Sequence, residues 1–91
     1  MALSSKERAA LRAAAHHLTA AVHVGHHGLT DTVRQSVDDA LRTRELVKIQ
    51  FTKTADVSVR DVANELARGL DADVVQVIGK TATLFREKAE S

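Results

Sequence analysis

Residues 74–85 read VVQVIGKTATLF, two short runs rich in β-branched residues joined by Gly79 and Lys80 alone. A two-residue link with glycine in first place is what a type II′ turn requires, so the pair is predicted to form a tight antiparallel hairpin. That hairpin limits the whole chain. Any other strand must join it through a longer connection, and a parallel neighbour needs a crossover, which is usually helical.

The preceding sequence supplies such crossovers. Ser4 followed by Glu7 has the spacing of a capping box, and Leu3, Leu11, Ala14, Ala15 and Leu18 then recur at roughly helical intervals, predicting a first helix near residues 5–16. AAVHV (20–24) ends in β-branched residues and stops at Gly25, as a short strand would. Thr30 is placed to cap a second helix running to about Arg44, with Val33, Val37, Ala40 and Leu41 on one face and Arg34, Asp38, Asp39 and Arg42 on the other. ELVKIQF alternates, with Val47, Ile49 and Phe51 on one side and Lys48 and Gln50 on the other, predicting a half-buried strand. Ser58 with Asp61 opens a third helix carrying the stripe Val59, Val62, Ala63, Leu66 and Leu70, and Gly69 is expected to mark its end.

The order is helix, strand, helix, strand, helix, strand, strand. Two strand–helix–strand units followed by a hairpin predict an α/β fold: a mixed four-stranded sheet packed with three helices. One domain is expected over residues 1–91, with an ordered core of about 3–86 and a loose tail at 87–91. The chain has no proline that could make a proline-rich linker, and no repeat divides it.

Composition excludes several function classes. A 91-residue domain has little room for a large catalytic cavity. Without cysteine there is no disulfide, thiolate nucleophile or cysteine-bound zinc. Lys6, Glu7, Arg8 and Arg12 interrupt any apolar core of a signal peptide, and no run reaches membrane-spanning length, so the cytoplasm is the expected place. Thirteen basic against twelve acidic residues give a net charge of +1, which by itself does not point to nucleic acid. All five histidines lie between positions 16 and 27, and residues 1–50 hold the basic excess. An anion-binding face is therefore expected from the first half.

The segment HVGHHGLTD (23–31) is where chemistry could sit. His23, His26 and His27, with Asp31, match no recognised zinc spacing, and the expected metal and cofactor content is none. No nucleophile elbow is present, and the acidic residues are scattered over helix faces, so no catalytic residue is expected. Gly25 and Gly28 can adopt backbone angles closed to other residues. A strand, a GxxG turn and a helix start can aim free amides and the positive end of a helix dipole at an anion. The same glycines can equally serve only to make a tight turn, and Asp31 adds negative charge at that helix start. Both readings stand on the motif alone.

Taken together, LSSKERAALRAAAHHL, VHVGHHGLTDTV, DDALRTRELVKIQF and VVQVIGKTATLFR resemble the CRM domain, the chloroplast RNA splicing and ribosome maturation family, in its one-domain bacterial form known as YhbY. The resemblance runs from Leu3 to Arg86. It implies a fold similar to the C-terminal domain of a bacterial translation initiation factor. It also implies a non-catalytic RNA-binding role in which the GxxG loop meets the RNA backbone in the manner of KH domains, with ribosomal RNA of large-subunit precursors as the ligand. Two features depart from the family. His26 and His27 stand where members often carry lysine, arginine or a small polar residue, and REKAES ends the chain nearly neutral where a basic tail is common.

Phe51 and Phe85 are the only aromatic residues other than histidine, and both occupy apolar strand positions expected in the core. Base stacking on rings therefore cannot dominate, and binding is expected to rest on phosphate contacts. The expected contacts are Gly25, His26, His27 and Gly28, supported by Lys6, Arg8 and Arg12 on the first helix and Arg34 on the second. Lys48, Lys80 and Arg86 form a second tier. Aspartate at Gly25 or Gly28 is expected to weaken binding and leave the fold mostly intact. The competing reading is a protein-interaction module that docks on a ribosomal protein or assembly factor and touches RNA only incidentally.

Overall fold

The computed structural model describes residues 4–25, 28–52 and 58–87. Its elements follow the expected order: α1 (Ser5–Ala15), β1 (Val22–Val24), α2 (Asp31–Arg44), β2 (Leu46–Phe51), α3 (Val59–Leu70), β3 (Asp73–Ile78) and β4 (Thr81–Phe85). The helix starts sit at the hydroxyl residues. Ser4 Oγ accepts the Glu7 amide at 3.1 Å while the Glu7 carboxylate accepts the Ser4 amide at 3.1 Å. Thr30 Oγ1 accepts the Val33 amide at 3.2 Å and Ser58 Oγ the Asp61 amide at 3.3 Å. Each satisfies donors that a helix start leaves without an intrahelical partner.

Strand order is β1-β2-β4-β3. β1 runs parallel to β2, whereas β4 is antiparallel to both β2 and β3. The hairpin thus inserts β4 between two parallel strands, and the sheet is mixed as expected. Gly79 has φ 56° and Lys80 no positive φ, the signature of the type II′ turn. β1 is shorter than the 20–24 expected, because it pairs only with the last three residues of β2, Val22 opposite Ile49 and Val24 opposite Phe51.

Val47, Ile49 and Phe51 point to one face of the sheet, where Ala82 and Leu84 of β4 meet Val37 and Leu41 of α2 and Leu66 of α3 in a single buried cluster. Fully burying such a side chain contributes about 1.5–3 kcal/mol. Ala15 and Val75 are also buried but lie outside that cluster, and α1 packs on β2 and β3, so α1 covers the opposite face. The β3–β4 register shifts between Val74 and Gln76, and with Val74 packed on the core cluster, strand alternation sends Val75 to the opposite face.

Two expectations are corrected. Phe51 is in the core at 1% exposure, but Phe85 is only half-buried and outside the cluster. Leu84 already points to the core, and strand alternation sends the next residue to the other face. Gly69 does not end α3. The helix continues to Leu70 and turns at Asp71, which takes φ 56° and ψ 46°, a left-handed conformation that aspartate tolerates better than most residues. The bare Gly69 instead makes room for an arginine: a Cβ there would lie 2.9 Å from Arg34 Nη1.

Candidate functional site

Across the turn between β1 and α2, the Gly28 amide donates to the Gly25 carbonyl at 3.0 Å. Gly28 is buried and has φ 67°, so a side chain there would be strained. Gly25 is exposed, has no positive φ, and a Cβ on it would meet nothing within 4 Å. The two glycines therefore do different work. Gly28 shapes the turn, and its amide, expected as a free anion donor, is engaged internally. Gly25 is an open backbone position. His26 and His27, expected as contacts, lie outside the described residues.

The end of β1 is fixed by pairing. Val24 sits opposite Phe51, the Thr52 amide donates to the Val24 carbonyl at 2.9 Å, and the Phe51 amide donates to the Lys80 carbonyl at 2.7 Å. Lys80 is exposed in the hairpin turn and stands at the same end of the sheet as Gly25. Two strand spacings put their backbones roughly 10 Å apart. His23, not expected as a contact, is exposed on β1 two residues before Gly25. Alternation along VHV already implied that it faces outward.

Arg8, of the first-helix group, is held elsewhere. Arg8 is partly buried and its Nη1 donates to the Val74 carbonyl, near the start of β3. β1 and β3 are opposite edges of the sheet, and the Val74 level of β3 pairs with Leu84, four residues along β4 from Lys80. The Val74 carbonyl that Arg8 holds and Gly25 therefore occupy diagonal corners, with those two backbone positions roughly 20 Å apart by strand spacing and rise. Lys6 and Arg12 are exposed on the same helix. Beside them the Glu7 carboxyl is held below its ordinary range, chiefly by the Ser4 amide and then by the Ser4 hydroxyl, so it stays charged and offsets part of the helix's positive field.

The other expected cations have partners or neighbours within the fold. Lys48 Nζ lies 3.4 Å from the Leu18 carbonyl on the α1 face. Arg86 Nη1 donates to Asp38 Oδ1 and to the Leu70 carbonyl, both at 2.9 Å, and Nη2 reaches the Asp38 carbonyl at 3.2 Å. It thereby ties the end of β4 to α2 and α3. Arg34 lies over Gly69 in the cleft between α2 and α3, with Asp31, Asp38 and Asp71 around it. Of the expected cations, Lys80 is the one this geometry brings beside the loop. Among the described residues, no three histidine, aspartate or glutamate side chains come together to hold a metal ion, and no helix is long and apolar enough to cross a membrane.

Known proteins resemble this chain in sequence and fold. A family model described as the CRS1 / YhbY (CRM) domain matches residues 3–86. A Bacillus subtilis (strain 168) protein named "Probable RNA-binding protein YqeI" is 36% identical over 89 residues, covering 98% of this chain and 93% of that protein. A Haemophilus influenzae protein named "RNA-binding protein" is 33% identical over 89 residues, covering 98% of this chain and 90% of its own. The solution structure of the Staphylococcus aureus protein SAV1595 superposes with a TM-score of 0.83 at 28% identity, over 98% of this chain and 93% of that one. With its family model matched almost end to end and its helix, sheet and hairpin order reproduced in a solved relative, this chain belongs to the CRS1 / YhbY (CRM) domain family.

Proposed function

We propose that this chain is a non-catalytic RNA-binding protein that holds the phosphate backbone at the sheet end running from Gly25 to Lys80. The observation that carries the proposal is coverage: relatives named RNA-binding proteins align over nearly all of this one small domain, so no further module is needed to explain their names. The exposed Gly25 backbone, the opening amides of α2 and the Lys80 ammonium supply donors and positive charge on one side of the molecule. His26 and His27 belong to the same proposed contact. Lys6 and Arg12, exposed on α1, form a second contact. Arg8, Arg34, Lys48 and Arg86 are better explained by the neighbours they already have.

The finer reading follows the family resemblance: the RNA is ribosomal, in precursors of the large subunit, and the place of action is the cytoplasm, where ribosomes are assembled. Fluorescence polarisation of full-length protein against large-subunit ribosomal RNA fragments, at two salt concentrations, tests it. Affinity should fall steeply with salt, with a slope of about 0.7 per single-stranded phosphate neutralised. Purified protein should carry nucleic acid, read as a high ratio of absorbance at 260 to 280 nm, which is easily seen because the chain has no Trp or Tyr. Tight binding to a ribosomal protein with no affinity for RNA would favour the interaction-module reading instead.

A further inference from the structure

On the α1 face of the sheet, the end of α1 leaves a groove of about 230 Å³ lined by His16, Lys48, Gln76, Ile78, Thr81 and Thr83. Thr83 is 1% exposed and its Oγ1 has no hydrogen-bond partner, the buried side-chain polar atom so left among the described residues. A buried hydroxyl without a partner calls for a water or ligand. Ile78, on the groove's rim, is 57% exposed and is the exposed large hydrophobic side chain among the described residues. An unpartnered hydroxyl, a primary amide, a second hydroxyl, a cation and a bare aliphatic surface thus share one concavity.

That combination selects among ligands. A phosphate would use Lys48 and the hydroxyls but gains nothing from Ile78. A drug-sized ligand fills a larger pocket than this. A flat heterocycle with donors and acceptors on its edge uses more of the lining: Gln76 offers both a donor and an acceptor, Thr81, whose hydroxyl already donates to Gln50 Oε1 at 3.2 Å, offers only an acceptor, Thr83 offers its hydroxyl, and Ile78 and the His16 ring offer surfaces to lie against. The larger cleft between α2 and α3, about 480 Å³, lacks this character. Its Arg86 is bonded to Asp38 and Leu70, and its remaining charges are of mixed sign.

Given the RNA-binding reading, on which this assignment rests, we infer that the groove takes one unstacked nucleobase of a single-stranded segment. The Gln76 amide binds the base edge, and the groove opens enough on binding to bring Thr83 Oγ1, closed to solvent in the free protein, into the same contact. Phosphate contacts along the sheet end hold the strand but carry no base information, whereas this groove would supply base selectivity without a Phe, Tyr or Trp platform.

Two measurements on the full chain separate this assignment from the reading beneath it. First, ¹⁵N-labelled protein is titrated with uridine, cytidine and adenosine, which carry no phosphate. Shifts confined to the amides of Gln76, Ile78, Thr81 and Thr83 are expected for at least one nucleoside. No shifts at tens of millimolar would leave Thr83 Oγ1 to a water and overturn the assignment, whatever the protein's affinity for RNA. Second, a labelled single-stranded RNA is compared with an abasic strand of equal length. Gln76→Ala and Thr83→Val should each weaken the RNA roughly threefold to tenfold, the size of one or two lost hydrogen bonds, and leave the abasic strand unchanged. Equal losses on both strands, or none on either, would count against the groove. Wild type that binds neither strand would defeat the RNA-binding reading, and this assignment with it.

Discussion

The Gly28 amide lies 3.0 Å from the Gly25 carbonyl oxygen and points into the turn. That bond separates two glycines which look alike in the sequence. Gly28→Ala puts a Cβ at φ 67° in a buried position and should cost about 1–2 kcal/mol, read as a lower urea midpoint. Gly25→Ala should change stability by less than about 0.5 kcal/mol, because nothing lies within 4 Å of the added carbon. Gly25→Asp should then weaken RNA binding severalfold with the fold intact, while Gly28→Asp damages both. An equal loss of stability at the two positions would refute this division.

Arg86 should behave as a structural residue. Its guanidinium bonds Asp38 and the Leu70 carbonyl with only 21% of the side chain exposed. Arg86→Ala should therefore cost about 2–3 kcal/mol, lowering Tm by roughly 10–20 °C in a domain of this size. In a double-mutant cycle with Asp38→Ala, the combined loss should be well below the sum of the single losses. Additive losses would show that the pair is not coupled.

Asp71 holds a conformation that suits glycine better. At φ 56° and ψ 46° it ends α3, and its amide donates to the Ala67 carbonyl. Asp71→Gly should raise stability by up to about 1 kcal/mol, and a β-branched Asp71→Val should lower it, both measured by chemical denaturation.

Glu7 gives α1 a pH dependence. Its carboxyl in the folded chain titrates below the ordinary value of 4.5, because the Ser4 amide and hydroxyl favour the charged form. A depressed folded value means the contribution is present above the unfolded value and is lost as pH falls through the folded one. Glu7→Gln should thus differ from wild type at pH 6 and converge with it well below pH 4.5, followed by urea midpoint across that range. A gap that widens in acid would contradict the capping box.

Much of the fold was legible because its signals are local. A capping hydroxyl acts within three residues, strand alternation repeats every two, and Gly79 with Lys80 fixes a turn by itself. Residue order therefore determined the element sequence, the mixed sheet and the inward faces of β2 and α3. The ends of elements were less legible where a choice among neighbours was made by packing. Asp71 rather than Gly69 ends α3, because Gly69 sits beneath Arg34 from another helix.

Where the expected cations sit was not legible at all. Lys6, Arg8 and Arg12 precede the Gly25 turn closely in sequence, and Lys80 follows it at a distance of more than fifty positions. Yet β4 inserts between β2 and β3, which carries Lys80 to the loop's end of the sheet and leaves Arg8 fixed at the far corner. The sequence alone determined which residues form strands and helices, since that depends on neighbours along the chain. Only the tertiary structure decided which charges share a surface, since strand order is set by burying the apolar faces of the whole sheet at once.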